Sequence, residues 1–179
     1  MTENKSSKTT AVSAADGPIA VTGASGYIGS WIVSDLVEQG YQVRACVRDK
    51  SKSEKVDHLL AMNDAGFRGQ VELVEGDIFK KGSYDEPFKG CCAVIHTGAA
   101  MGHNAETPQQ IYDGCVTEVQ HILDSVKKSG TAKRFIYTSS FSAAWHHRPG
   151  GYVFTEKDWC DDNPEKYKVM FRAPFFPTE

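Results

Sequence analysis

The run Gly23-Ala24-Ser25-Gly26-Tyr27-Ile28-Gly29 follows the apolar stretch Ile19-Ala20-Val21 and opens an amphipathic segment. An apolar strand, a glycine turn and a helix, in that order, leave few folds open to the chain. Glycine permits the sharp turn and lets backbone N–H groups approach a ligand with no side chain between them. A helix that starts near Tyr27 adds about half a positive charge at its N-terminus. The turn is therefore a cradle for an anion, and this arrangement suits a dinucleotide diphosphate. Glycine-rich turns are common, so the specificity comes from the strand before, the helix after and a second strand beyond. The expected diphosphate contacts are Gly23, Ser25, Gly26, Tyr27, Ile28 and Gly29.

The rest of the chain repeats the alternation. Strands are predicted at Ile19–Thr22, Tyr41–Val47, Val71–Asp77, Cys92–His96 and Arg134–Ser139, and helices at Ile28–Gln39, Ser53–Met62 and Asp113–Lys128. Ile28, Ile32 and Leu36 recur at helical spacing beside Val33 and Val37, and Gly40 stands where glycine ends a helix. Parallel neighbours need helical crossovers, so the order implies an α/β fold with a doubly wound parallel sheet in strand order 3-2-1-4-5. Gly150–Glu179, with Ala173-Pro174-Phe175-Phe176-Pro177, shows no further helix and strand. The expected division is a disordered tail over 1–16, a dinucleotide-binding domain over 17–149 and an irregular segment over 150–179. The sheet reads as incomplete in its C-terminal half.

Composition narrows the partners. A formal net charge of -3 on 179 residues shows no basic excess, which argues against nucleic acid or an anionic membrane surface. No apolar run approaches the ~20 residues of a membrane span. Met1–Asp16 lacks the apolar core of a secretory signal, has no arginine and carries Glu3 and Asp16, so a cytoplasmic protein is expected. The five cysteines, Cys91 and Cys92 adjacent, lack framework spacing and read as reduced thiols.

About 20 residues past the glycines, the end of strand two meets the adenosine ribose. An acid there favours NAD, and an arginine favours the extra phosphate of NADP. Arg48 occupies that position, with Asp49 next and Arg44 and Lys55 close in sequence. A guanidinium grips phosphate in bidentate fashion, so NADP is the expected cofactor, with NAD kept open by Asp49. Asp77 and Ile78 close strand three, where an acid accepts from the adenine amino group and isoleucine packs on the ring; a helix-capping acid is the alternative reading there, almost as well supported by the local sequence. Thr97, Gly98 and Ala99 follow strand four, and small residues there let a ribose and nicotinamide approach the backbone. His96 reads as an edge histidine, and His146-His147 as a polar loop without further metal ligands at the right spacing. Ser140, past strand five, points into the crevice and can hydrogen-bond a substrate oxygen.

These stretches resemble one family. Val21-Thr22-Gly23-Ala24-Ser25-Gly26-Tyr27-Ile28-Gly29-Ser30, Val43–Asp49, Val74-Glu75-Gly76-Asp77-Ile78, Gly90–His96 and Arg134–Ser140 are similar to the extended short-chain dehydrogenase/reductases of the NAD-dependent epimerase/dehydratase superfamily, in the dihydroflavonol and cinnamoyl-CoA reductase branch. The resemblance implies a Rossmann fold, an NADP-dependent reduction of a small-molecule carbonyl to an alcohol, Arg48 and Lys55 as 2′-phosphate ligands, Ser140 as the catalytic serine, and a homodimer face supplied by later helices of a full-length form. Glu118 stands where the family has glycine. The family's proton donor is a tyrosine with a lysine four residues on. The seven tyrosines are followed at that spacing by Trp31, Ala45, Phe88, Val116, Phe141, Glu156 and Phe171. The dyad is absent, so the chain reads as truncated before it. Beside the reductase stand two other readings, an NAD-dependent sugar-nucleotide epimerase or dehydratase and a catalytically silent nucleotide-binding module or fragment.

Overall fold

β1 (Ile19–Thr22) is buried at every position, and the chain leaves it through the glycine turn straight into α1 (Tyr27–Glu38). The computed structural model describes residues 11–99, 107–144 and 149–159. There follow β2 (Gln42–Val47), α2 (Ser53–Leu60), β3 (Gln70–Glu75), β4 (Ala93–His96), α3 (Pro108–Ser129) and β5 (Arg134–Tyr137). All pairings are parallel, and the order is β3-β2-β1-β4-β5, the doubly wound sheet that the alternation predicts. The register sets Val74, Cys46, Thr22, His96 and Tyr137 in one row across the carboxyl edge.

Alternation along the strands sends side chains to two cores. On one face Val21, Val43, Ala45 and Val71 meet Val33 and Val37 of α1 and Val56 and Leu59 of α2. On the other, Ala20, Cys46 and Val94 meet Ile122 of α3 and Tyr84 and Phe88 of the crossover between β3 and β4. That crossover is a chain of turns held from inside by the stacked Tyr84 and Phe88 rings, 5.1 Å apart. Arg44 anchors it from β2, where Nη1 donates to the carbonyls of Pro87 (3.1 Å) and Lys89 (2.6 Å) while Nε pairs with Glu72 at 3.1 Å.

Most boundaries fall within two residues of the sequence expectation, β5 ending at Tyr137 rather than Ser139 and α2 at Leu60 rather than Met62, and three differences have local reasons. α3 starts at Pro108 rather than Asp113, because Thr107 and Gln110 form a reciprocal capping box: the Gln110 amide donates to Thr107 Oγ1 and the Thr107 amide to Gln110 Oε1, both at 3.2 Å. β3 stops at Glu75: the Gly76 amide still donates to the Val47 carbonyl (2.9 Å), but the Asp77 amide turns to Ser83 Oγ (2.9 Å). The tail expected to be disordered over 1–16 is tied down from Val12 onward. The Tyr41 hydroxyl donates to the Val12 carbonyl (3.2 Å), and Asp16 pairs with Lys133 at 2.5 Å and accepts from Ser13. These contacts hold the Asp16 carboxyl well below the usual carboxylate range.

Past β5, residues 149–159 form no helix or strand. Phe154 packs edge-on against Tyr152 (5.0 Å) and Phe141 (5.8 Å), and Asp158 accepts from the Thr155 amide at 2.8 Å. His146-His147 and Ala173–Pro177 lie outside the described residues. No helix among the described residues is long and apolar enough to cross a membrane.

Phe88 is fully buried, whereas Phe79 on the same crossover is 59% exposed. Phe88→Ala should destabilise the fold by about 3–5 kcal/mol and Phe79→Ala by less than ~0.5 kcal/mol. Urea unfolding of both variants measures the contrast.

Candidate cofactor site

Close approach of backbone to backbone defines the first loop. Gly23 has φ +67°, and a Cβ there would stand 2.8 Å from the Gly98 amide nitrogen. A Cβ on Gly29 would stand 2.2 Å from the Gly23 carbonyl oxygen and 2.9 Å from Ala24 Cα. Glycine at both positions lets α1 begin directly against the end of β1. Gly26 sits at the N-cap with no side-chain cap. The amides of the first turn, Tyr27 to Gly29, have no partner inside the helix, while the side chains of Tyr27 (83% exposed) and Ile28 (56%) point to solvent.

A cavity of about 280 Å³ opens above this loop along the carboxyl edge of the sheet. Of the residues expected to contact a cofactor, Gly23, Ser25, Arg48, Lys55, Ile78, Gly98 and Ala99 line it. Gly26, Tyr27, Ile28 and Gly29, expected beside them, are not among its lining residues. Thr97 lies behind it, its Oγ1 donating to the Thr22 carbonyl at 2.6 Å. Asp77 turns aside: its carboxylate accepts from the Phe79 amide (3.0 Å) and lies 3.9 Å from Lys80, the capping role left open above. Arg44 is directed away from the cavity into the crossover. Ser140 is exposed beyond β5, its carbonyl accepting from the Ala143 amide at 2.9 Å, and it does not line the cavity.

Cys46, Val47 and Asp49 of the β2 end line the cavity as well, as do Gly76, Lys52 and Tyr84, which are not among the expected cofactor contacts. Tyr84 is 3% exposed, and its ring occupies the space a Gly76 side chain would need, with Cε1 2.3 Å from the Cβ position. Burial pushes the Tyr84 phenol far above its ordinary range. The signal for Lys52 was its place one turn before Lys55 at the start of α2. For Tyr84 and Gly76 no local pattern existed, because they meet across the crossover.

Charge is unevenly used at the β2 end. Asp49 Oδ1 accepts from both the Ser51 amide (3.0 Å) and the Ser51 hydroxyl (2.6 Å), and Lys52 lies 3.9 Å from its other oxygen. The Ser51 bonds hold the Asp49 carboxyl below its usual range. Arg48 and Lys55 form no ion pair among the described residues. At the middle of the edge, Thr22 Oγ1 and His96 Nδ1 are 2.5 Å apart, both residues fully buried. The His96 ring lies against Tyr137 (centroids 5.5 Å), and its Nε2 has no hydrogen-bond partner among the described residues. Burial pushes the imidazole down to about 4.

A parallel sheet whose crossovers diverge at β1 and β4, with a glycine cradle at that point, defines a dinucleotide-binding α/β protein. A profile of the NAD dependent epimerase/dehydratase family matches residues 19–164, and the chain belongs to that family. It is 37% identical over 144 residues to dihydroflavonol 4-reductase from Arabidopsis thaliana, spanning 80% of this chain and 37% of that protein. It is 35% identical to cinnamoyl-CoA reductase CAD2 from Medicago truncatula, spanning 79% of this chain and 46% of that one. Among solved structures, vestitone reductase from alfalfa (Medicago sativa) superposes with a TM-score of 0.66 at 28% identity, over 88% of this chain and 46% of that one. Yeast methylglyoxal/isovaleraldehyde reductase Gre2, complexed with NADPH, gives 0.68 at 26% identity, over 83% and 45%. These matches place the chain in the dihydroflavonol and cinnamoyl-CoA reductase branch, and it spans less than half the length of each relative.

The depressed His96 value has a sign that can be tested. The folded protein keeps the ring neutral, whereas the unfolded chain takes up a proton near pH 6.5. The stabilisation is complete above that pH and is lost as the pH falls towards 4. We expect a loss on the order of 3 kcal/mol from this ring between pH 7 and pH 4, read by urea unfolding at each pH. His96→Gln should flatten that window. Asp16, Asp49 and Asp85, whose carboxyls are also lowered, titrate further down in both proteins.

Proposed function

We propose that the chain is the cofactor-binding portion of an NADP-dependent reductase that converts a small-molecule carbonyl to an alcohol. The observation that carries this reading is the charge pattern at the ribose end of the cavity. Asp49, the acid that would accept from a ribose hydroxyl, is already engaged by Ser51. Arg48 and Lys55 line the same end without an ion-paired counter-charge among the described residues, Asp49 acting on Lys55 only from beyond ion-pair distance. A 2′-phosphate supplies that counter-charge; a 2′-hydroxyl does not. The NADPH named with the yeast Gre2 structure agrees with this choice.

The chain's own groups then divide the work. The amides at the start of α1 face the diphosphate, Ile78 offers a wall to the adenine, and Gly98 and Ala99 leave room for the second ribose. NADPH, when bound, supplies the hydride. Ser140, by its resemblance to the family's serine, donates its hydroxyl to the substrate oxygen. A second reading, a nucleotide-binding module without turnover, is favoured by one observation: no tyrosine in the chain has a lysine four residues later.

Calorimetric titration should show NADPH binding at least ~10-fold tighter than NADH. Arg48→Ser combined with Lys55→Ala should abolish that preference, because each charge-assisted hydrogen bond contributes about 1.5–3 kcal/mol, or ~10- to 100-fold. Tighter NADH binding would overturn the reading in favour of the sugar-nucleotide epimerase or dehydratase. NADPH oxidation with an aromatic aldehyde or a flavonoid ketone, abolished by Ser140→Ala, would reject the silent module; saturable binding with no turnover would support it.

A further inference from the structure

We propose that the Tyr84 hydroxyl is a recognition group for the adenine base, supplied by the wall of the cavity that the base would meet. The proposal rests on the cavity being a dinucleotide site and adds to that site a residue contributed by the crossover. Gly76, Ile78 and Tyr84 form the side of the cavity built from the β3 exit and the crossover, and Arg48, Asp49, Lys52 and Lys55 form the side built from β2 and the approach to α2. On the first side, among the lining residues, only Tyr84 carries a polar side chain. Asp77, whose position suits an acceptor for the adenine amino group, is turned to the Phe79 amide instead (3.0 Å).

Tyr84 is 3% exposed and still lines the cavity. Its ring is clamped from several directions. It stacks on Phe88, with centroids 5.1 Å apart. Cε1 and Cζ fill the room beside Gly76, 2.3 and 2.7 Å from where a Cβ would be. The next residue, Asp85, is tied to α3 by Ser125 Oγ (2.8 Å) and Lys128 Nζ (2.5 Å). Cζ, which carries the hydroxyl, therefore stands next to a residue of the cavity wall and has little freedom to swing away. The hydroxyl itself has no hydrogen-bond partner among the described residues. Phenylalanine would fill the same space and leave no polar group unpaired, so the oxygen has a use only toward the cavity. Burial keeps the phenol protonated even with Arg48 nearby. A neutral O–H suits the neutral edge of a purine, whereas the cations on the opposite side suit phosphate. Because the ring is held before a ligand arrives, making the bond costs little ordering.

Tyr84→Phe removes one oxygen and keeps the ring contacts, so Tm should stay within ~2 °C of the parent. Affinities of both proteins for NADPH, NADH and adenosine 2′-monophosphate are measured by calorimetric titration. All three ligands carry the adenine, and all three should weaken in Tyr84→Phe by a common factor of ~3- to 10-fold, the range of a neutral hydrogen bond. The ratio of NADPH to NADH affinity should therefore stay within ~2-fold of the parent's. A loss confined to NADPH and adenosine 2′-monophosphate would assign the hydroxyl to the 2′-phosphate and overturn its assignment to the base. Unchanged affinity for all three would overturn it as well, and so would losses that follow a Tm lowered by more than ~5 °C, which would leave Tyr84 a packing residue. In protein labelled with carbon-13 at tyrosine Cζ, the resonance missing from Tyr84→Phe should move when adenosine 2′-monophosphate is added to the parent; a resonance that stays in place counts against the contact. A parent chain that binds none of the three ligands would end the cofactor reading and this proposal with it, a result distinct from a loss seen only in the variant.

Discussion

The contact between Gly29 and the Gly23 peptide sets where everything else at the carboxyl edge can stand. With the Cβ position of Gly29 only 2.2 Å from the Gly23 oxygen, any larger residue would push α1 off the end of β1. Because α1 starts so close, its unpaired first-turn amides and its dipole are delivered to the midline of the sheet. β1 also lies between β2 and β4, so the crossovers leave it toward opposite faces and a crevice opens above it. Strand order makes the crevice, and two missing methyl groups bring a positive field into it.

Within that crevice the electrostatics run from neutral to cationic along the sheet. Beneath the loops, His96 is kept neutral by burial, and its hydrogen bond with Thr22 places no formal charge there. Toward β2 the chain gathers Arg48, Lys52 and Lys55 while Asp49 is withdrawn into its own turn. Burial and exposure thus sort the titratable groups: what lies beneath the loops is neutral, and what lines the β2 end of the cavity is charged and solvated. An exposed cation is a weak structural element, and its value here lies in recognition.

The fold was legible because its signals are local. Ile19–Thr22, the glycine run and the Ile28–Leu36 spacing predict β1, the turn and α1 to within a residue, and the alternation predicts the strand order. Arg48 and Gly98 could be placed because their distance along the chain from a strand end fixes their position on the sheet. What escaped depends on contacts between distant segments. Tyr84 fills the space left by Gly76 from a crossover with no periodicity, Asp77 turns to cap its own loop, and Asp16 meets Lys133 across the whole domain. The start of α3 was a different failure. Thr107 and Gln110 spell a capping box on a turn that carries no apolar periodicity.

Burial divides the sheet into unequal halves. β1 and most of β2 are buried, whereas β5 has no fully buried residue. On the α1 side the open surface includes Ile136 (43% exposed), Ile28 (56%) and Trp31 (66%), while α3 covers the opposite face. Parallel sheets are ordinarily covered on both faces, so the side of the cavity built on β4 and β5 has the thinner support. The adenosine end rests on β1, β2 and β3, where both α1 and α2 pack. Arg48 and Lys55 therefore stand on the better-packed part of the sheet. The β4–β5 side draws on the part with less burial, and there the buried Thr22–His96 hydrogen bond is a directional link between β1 and β4.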